Sequence, residues 1–255
     1  MRHVRFVAVA LGIAALVAGC GSDDGSGDAD VSGTVTVLAA ASLTGSFEEL
    51  AAQLAEQYPD LDVEFSFGPS SGLVEQLIAG APADVLATAD TKTMDNAVAG
   101  NVIDGEPEVF ARNTLALVVP KGNPGGVTGL ADLAEADLRI AICEPQVPCG
   151  AAAGKLLDAA GVTAAPDTLT TDVKEAVSLI TLGEADAAIV YLTDAAAAGD
   201  DAETIEVPEA DSVINNYPVA LIADAPNPEG AQAVIDAITG ELGQSILGEA
   251  GFLAP

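Results

Sequence analysis

The chain alternates short apolar stretches with segments of helical periodicity, and this order limits the folds open to it. Thr34–Ala40, Leu61–Phe67 and Asp84–Ala87 have the apolar or alternating character of strands. Segments such as Ser71–Ala79, with apolar residues at helical spacing, separate them. A capping box in the sequence SFEE, starting at Ser46, predicts the start of the first helix. A β-α-β-α order predicts an α/β fold with a mainly parallel sheet flanked by helices.

The same pattern starts again after residue 113. Thr114–Pro120, Leu138–Cys143 and Ala187–Tyr191 are predicted strands, with helical segments between them. Tyr217–Ile222 is a last predicted strand, and two helical segments follow it. About 220 residues of repeated α/β units therefore predict two lobes.

The first residues have the features of an export signal. Arg2 and Arg5 precede an apolar run, Phe6–Ala18, that is too short to span a bilayer as a helix. The sequence VAGC, ending at Cys20, resembles a bacterial lipobox, which implies cleavage before Cys20 and lipid attachment to its thiol. An ordinary signal peptide with an incidental cysteine is the alternative.

The predicted order is therefore a signal peptide (1–19) and a flexible linker (20–33) rich in Gly, Ser and Asp. Such a protein is extracytoplasmic and anchored to the cell membrane as a lipoprotein. The lipid would be its only contact with the membrane.

Charge and histidine content exclude several classes of function. The chain has 8 Lys and Arg against 39 Asp and Glu, a net charge of −31, so nucleic acid is not an expected partner. Its one histidine, His3, lies in the predicted signal peptide. The exported protein would therefore lack Ser-His-Asp catalysis and histidine-bearing zinc sites.

Three strand-to-helix junctions carry small hydroxyls and uncovered backbone amides. They are residues 39–44 (AAASLT), 67–72 (FGPSSG) and 145–150 (PQVPCG). Open α/β sheets bind ligands at such junctions, and the N-terminus of a helix attracts anions without any Lys or Arg. For a single junction, a serine that only caps its own helix is the alternative. Three junctions together favour an oxyanion site.

The second junction also matches G-x-S-x-G, the nucleophile elbow of serine hydrolases. Without histidine, Ser70 would need a lysine as its base. None of the lysines near these segments has a spacing typical of such a pair. A lipid-anchored hydrolase is therefore the less favoured alternative.

Several segments together resemble the molybdate-binding proteins of ABC importers. They read AAASLT, FSFGPSSGLVEQLIAGAPADV, NTLALVVP, IVYLTDA and YPVAL, in order across most of residues 34–253. The resemblance implies a two-lobed periplasmic-binding-protein fold with two interlobe crossovers. It places lobe I at 34–112 plus 217–255 and lobe II at 113–216.

The resemblance also implies which residues bind the oxyanion. By position they are Ser42, Ser70, Cys149, Val173 and Tyr191, with Cys149 and Val173 acting through backbone N–H groups. Ser71 replaces Ser70 if the turn is shifted by one residue. Each of these residues could instead serve only in capping or packing.

Cys143 and Cys149 lie six residues apart, and an oxidising compartment favours a disulfide between them. Two free thiols, too far apart to bridge, are the alternative.

Neutral donors suit molybdate and tungstate, which are fully deprotonated dianions and only accept hydrogen bonds. Hydrogen phosphate would need an acceptor in the site. The predicted protein is therefore a monomeric, non-enzymatic receptor for molybdate and tungstate that delivers its ligand to an ABC permease. It has no cofactor and no direct metal-ion ligands. A receptor for sulfate or another tetrahedral oxyanion, and an ectodomain that has lost ligand binding, are the alternatives.

Overall fold

The computed structural model describes residues 31–255, which form two five-stranded β-sheets with helices packed against them. The predicted signal peptide (1–19), the predicted lipidation site Cys20 and most of the predicted linker (20–33) lie outside the described residues. In the described part of the chain, no helix combines the length and the apolar character needed to cross a bilayer.

The first sheet has the strand order β2-β1-β3-β10-β4. Its strands are β1 (Gly33–Ala40), β2 (Leu61–Gly68), β3 (Val85–Ala87), β4 (Ile103–Asn113) and β10 (Asn215–Ile222). The helices that pack beside it are α1 (Thr44–Gln57), α2 (Ser70–Ile78), α3 (Thr91–Ala99), α7 (Pro228–Thr239) and α8 (Glu241–Glu249).

The second sheet repeats this arrangement, with the strand order β7-β6-β8-β5-β9. Its strands are β5 (Leu115–Pro120), β6 (Ile140–Cys143), β7 (Thr168–Thr170), β8 (Ala187–Tyr191) and β9 (Ala202–Ile205). The helices beside it are α4 (Pro148–Ala160), α5 (Val173–Thr181) and α6 (Leu192–Ala197). Short 3₁₀ turns at Ala41–Leu43, Leu130–Ala134, Gly199–Asp201 and Pro208–Ser212 complete the described secondary structure.

The strands of each sheet are mainly parallel, as predicted, because four of the five run in one direction, and one reversed strand makes each sheet mixed. In each sheet three strands pair in parallel, and a fourth strand, β10 or β5, runs antiparallel to both of its neighbours. The two reversed strands are the ones that follow a passage of the chain from one sheet to the other. Such a strand enters its sheet from the cleft, so it must run opposite to the strands that end there.

The chain passes between the sheets twice, as the family resemblance implies. It leaves the first sheet after Asn113, at the end of β4, and returns to it at Asn215, the start of β10. Asn113 and Asn215 are paired neighbours in the β4–β10 ladder. The two passages therefore lie side by side.

Among the described strands and α-helices, three were not predicted from the sequence. The strand β4 contains Gly105, Pro107 and three acidic residues, and it is an edge strand whose first half is largely exposed. This composition gives no strand signal in the sequence, because edge strands tolerate proline and need no apolar alternation. The short elements β7 and α6 carry too few residues for a periodic signal.

The predicted capping box at Ser46 is wrong. The 3₁₀ turn Ala41–Leu43 runs directly into α1, which begins at Thr44, and Ser46 lies buried inside the helix. The Thr44 hydroxyl donates to the carbonyl of Ala41 at 2.7 Å. Since no side chain caps α1, the hydroxyl of the preceding Ser42 is left for other partners.

The start of α4 packs tightly against the end of β6 at Gly150. A Cβ at this position would collide with the backbone carbonyl oxygens of Cys143 and Glu144, whereas a Cβ at Gly154, in the same helix, would meet nothing within 4 Å. Close approach of backbone to backbone is a common reason for glycine.

We expect Gly150→Ala to destabilise the protein by about 1–3 kcal/mol, because backbone has to move to admit the methyl group. Gly154→Ala is the matched control and should stabilise by about 0.5–1 kcal/mol, as alanine does in a helix interior. Urea unfolding of both variants measures the two changes. Equal effects would contradict the packing described for Gly150.

Candidate functional site

A small cavity lies between the two sheets, at the point where the three junctions of the sequence analysis meet. Its volume is about 20 Å³, close to the roughly 10–15 Å³ that one water molecule needs. All five predicted binding residues line it, namely Ser42, Ser70, Cys149, Val173 and Tyr191. All five are buried. The structure therefore brings the five predicted residues together at one point of the cleft.

The two serine hydroxyls do not cap their helices. Ser70 Oγ accepts a hydrogen bond from the Ala89 N–H at 3.1 Å. Ser42 Oγ lies 3.0 Å from the hydroxyl of Tyr217. Neither α1 nor α2 has a side-chain cap, so a purely capping role for Ser42 or Ser70 is excluded. Ser71 is not among the residues that line the cavity.

Two helix N-termini point free amides at the same place. Cys149 follows Pro148, the first residue of α4, and no side chain caps that helix. At α5, Asp172 is the N-cap and accepts from the Glu175 N–H at 3.0 Å. First-turn amides have no intrahelical acceptor, so the Cys149 and Val173 N–H groups remain available to a ligand. The partial positive charge of both helix ends favours an anion there.

A disulfide joins Cys143, the last residue of β6, to Cys149 in the first turn of α4, with 5.8 Å between the two Cα atoms. Cys143 pairs with Thr170 in β7, and the Thr170 carbonyl accepts from the Glu144 N–H at 2.8 Å. The bond thus links the segment that presents the Cys149 amide to the strand that leads into α5.

Tyr191 ends β8 and brings a phenol to the cavity. Its hydroxyl accepts a hydrogen bond from Asn215 Nδ2 at 3.0 Å. Complete burial raises the pKa of Tyr191 well above its usual range, and burial likewise raises the pKa of Tyr217. Both phenols therefore keep their protons and remain able to donate. Tyr217 packs against Tyr191 and Phe252, with ring centroids 5.8 and 5.4 Å away.

One carboxylate that the sequence reasoning missed also lines the cavity. Asp172 is half-buried there, with one oxygen engaged in capping α5. The D-x-x-E spacing from Asp172 to Glu175 is the signal that could have placed it at a helix start. Glu144, the acid that directly precedes the third junction, accepts from Gln146 instead and does not line the cavity.

Lys174, next to Val173, is paired with a buried acid. Its ammonium lies 2.8 Å from Asp194 Oδ1, the only polar contact that the described residues make with this carboxylate. Burial raises the pKa of Asp194 to about 6, although the attraction of Lys174 acts in the opposite direction. The pair is neutral overall, so the lysine adds little net charge to the site.

A larger cavity of about 410 Å³ lies beside the first and shares Ser42 with it. Its walls include the carboxylates of Glu49 and Glu249, which would repel an anion. Within residues 31–255, no group of three or more His, Cys, Asp or Glu side chains could hold a metal ion.

Two α/β lobes that enclose a small cavity lined by hydrogen-bond donors define a solute-binding protein. The chain belongs to the bacterial extracellular solute-binding protein family, whose sequence model matches residues 35–253. The sequence-based prediction of an extracytoplasmic, non-enzymatic binding protein is thereby confirmed.

Individual relatives extend the comparison. The chain is 34% identical to the molybdate-binding protein ModA of Mycobacterium tuberculosis H37Rv, over 99% of this chain and 100% of the relative. It is also 34% identical to ModA of Escherichia coli K12, over 86% and 89% of the two chains. The periplasmic molybdate-binding protein of Azotobacter vinelandii has the same fold, with a TM-score of 0.74, 25% identity and coverage of 87% and 99%.

The buried Asp194 should make stability depend on pH. Because folding raises the pKa of Asp194, this residue contributes to the free energy of unfolding at low pH. That contribution is lost as the pH rises through about 6. Asp194→Asn stays neutral at every pH. We compare the free energy of unfolding of this variant with that of the unmodified protein at each pH. The difference should favour the variant by about 1–3 kcal/mol more at pH 7.5 than at pH 4.5.

Thermal melting at the two pH values measures this difference. Asp104→Asn removes the same charge from an exposed position and is the control. If both variants change with pH alike, burial of Asp194 is not the cause.

Proposed function

We propose that the protein captures molybdate, and tungstate with it, in the cavity between its lobes and delivers it to the permease of an ABC importer. The observation that carries the proposal is the convergence of buried, uncharged donors from both sheets on one small cavity. The names of the relatives at 34% identity support molybdate as the ligand. The protein would bind the metal only as its oxyanion, without a cofactor.

The proposed ligand set consists of the hydroxyls of Ser42, Ser70 and Tyr191 and the backbone N–H groups of Cys149 and Val173. Each charge-assisted hydrogen bond contributes roughly 1.5–3 kcal/mol to binding of a dianion. Two helix N-termini supply the remaining positive potential. An oxyanion without protons can accept from all of these groups at once.

We propose lobe I as 34–113 plus 215–255 and lobe II as 114–214, within two residues of the bounds that the sequence predicts, because β4 ends at Asn113 and β10 begins at Asn215. We propose that the lobes close on the ligand by a hinge motion. Since the β4–β10 ladder continues to Asn113 and Asn215, bending would fall at Thr114 and at the residues just before Asn215.

For the mature protein we propose a monomer tethered to the outside of the membrane. Cleavage of residues 1–19 and lipid attachment to Cys20 would leave residues 20–33 as a flexible tether. Loss of Arg2 and Arg5 takes the net charge from −31 to −33, which disfavours nucleic acid and anionic lipid as further partners.

A thermal-shift panel of molybdate, tungstate, sulfate and phosphate tests the proposal. Molybdate and tungstate at about 100 times their Kd should stabilise by about 2.7 kcal/mol, and the melting temperature should rise by several degrees. Phosphate should give a smaller shift than molybdate. A shift with sulfate alone would favour the alternative sulfate receptor, and no shift with any anion would contradict a binding function.

Loss of a single serine donor should weaken binding. We expect Ser42→Ala and Ser70→Ala each to cost about 1–3 kcal/mol of molybdate binding, because one ligand oxygen is left without a donor. Isothermal titration calorimetry measures the affinities. Ser71→Ala is the matched control and should bind as the unmodified protein does. If Ser71→Ala weakens binding and Ser70→Ala does not, the donor is Ser71.

A further inference from the structure

We infer that Asp194 limits the affinity of the oxyanion site, because its buried carboxylate neutralises the ammonium of Lys174 beside that site. The inference rests on the proposed function and adds to it two residues, outside the proposed ligand set, that determine how strongly a doubly charged ligand is held. Neither residue lines the small cavity. Both act on the ligand through their charge.

Lys174 lies at the edge of the site. It directly follows Val173 in the first turn of α5, where the backbone N–H groups point to the small cavity. Its side chain is 39% exposed and lines the larger cavity, which shares Ser42 with the small one. Among the described residues that line the two cavities, Lys174 is the one with a positive charge. Left unpaired, its ammonium would attract any anion bound next to it.

Asp194 cancels this charge from the neighbouring helix. It lies in the first turn of α6, three residues after Tyr191, and its side chain is 1% exposed. Its Oδ1 is 2.8 Å from the Lys174 ammonium, and beyond this ion pair neither of its oxygens has a hydrogen-bond partner in the described part of the chain. Stability does not require such a pair, since replacing a buried ion pair with neutral groups is often neutral or stabilising.

The charge of Asp194 acts as far as the ligand-binding hydroxyls. After burial, this charge is among the causes that raise the pKa of Tyr191 and the pKa of Tyr217. A charge that acts on these phenols also acts on an anion bound beside them. Asp194 repels the dianion and Lys174 attracts it, so the pair leaves little of either effect.

A neutral pair suits a receptor that has to give up its ligand. Differences in affinity among variants of one binding site arise mostly from the rate of dissociation. A free ammonium beside the cavity would therefore slow the release of the oxyanion to a permease. Asp194 avoids this, while the ion pair still connects the first turns of α5 and α6.

The pairing also makes binding depend on pH. Burial raises the pKa of Asp194 to about 6, so mild acid removes its charge and leaves that of Lys174. Binding should therefore strengthen as the pH falls through about 6. Of the other acids on the elements packed against α6, Glu175 and Glu203 are exposed and accept from the N–H groups of Thr171 and Gly122. The ionisable groups on those elements and at the N-cap of α5 are Asp172, Lys174, Glu175, Tyr191 and Glu203.

Asp194→Asn tests the inference with little change in shape, since the amide oxygen can still accept from Lys174. Calorimetry at pH 8 should show molybdate binding about tenfold more tightly, because one positive charge is no longer cancelled. Adding Lys174→Met to this variant should return the affinity to that of the unmodified protein. Asp104→Asn and Lys155→Met remove the same charges from exposed positions and should change nothing.

The pH gives a second reading that a structural role would not produce. At pH 5.5, where Asp194 is mostly protonated, Asp194→Asn and the unmodified protein should differ in molybdate affinity by less than about twofold. The unmodified protein should itself bind about five- to tenfold more tightly at pH 5.5 than at pH 8. This comparison needs no variant, so it decides the matter if Asp194→Asn does not fold.

Weaker or unchanged binding in Asp194→Asn at pH 8 would show that the pair has only a structural role, and would overturn the inference while the proposed function stands. A gain that persists in the double variant would overturn it as well, since Lys174 would not be its source. An unmodified protein that binds neither molybdate, tungstate nor sulfate would instead remove the proposed function, and the inference with it.

Discussion

The peptide group of Ala89 hydrogen-bonds to groups on both sides of the site, and the arrangement of the hydroxyls there depends on it. Its N–H donates to Ser70, and its carbonyl accepts from Asn215, whose amide also reaches Tyr191 on the other sheet. A peptide cannot exchange its donor and its acceptor, whereas a hydroxyl can serve as either. The Ala89 peptide therefore fixes one hydrogen-bond partner of the Ser70 hydroxyl and, through Asn215, one partner of the Tyr191 hydroxyl. Such short-range contacts matter because the strongly negative net charge of the chain does not attract an anion at long range.

The direction of the strands explains how these groups come together. Parallel strands bring their carboxyl ends to the cleft, which places Ser42 after β1 and Tyr191 at the end of β8. The reversed strand β10 brings its first residues there instead, and these include Asn215 and Tyr217. Strands of both directions thus contribute to one site, the first group as proposed ligand contacts and the second as residues that hydrogen-bond to them.

How much could be predicted from the sequence depended on the range of the interaction involved. Periodicity located most strands and helices, and the junction sequences indicated where Ser42 and Ser70 would lie. The supporting residues were out of reach, because the pairing of Asn215 with Ala89 spans 126 residues and exists only once β10 has returned to the first sheet. The pair of Lys174 and the buried Asp194 was missed for the same reason, since nothing in the segment of either residue indicates that the two meet.

The pairing of Asn113 with Asn215 affects which part of the chain can change independently of the rest. The chain departs from the first sheet and rejoins it at two residues that pair directly with each other, so residues 114–214 connect β4 and β10 in the way that the loop of a hairpin connects its two strands. An inserted segment whose two ends lie side by side can be lengthened, shortened or exchanged without a change in the strand order of the sheet that carries it. The architecture therefore allows three of the five proposed ligand contacts to be exchanged as one unit while the other two, Ser42 and Ser70, stay unchanged.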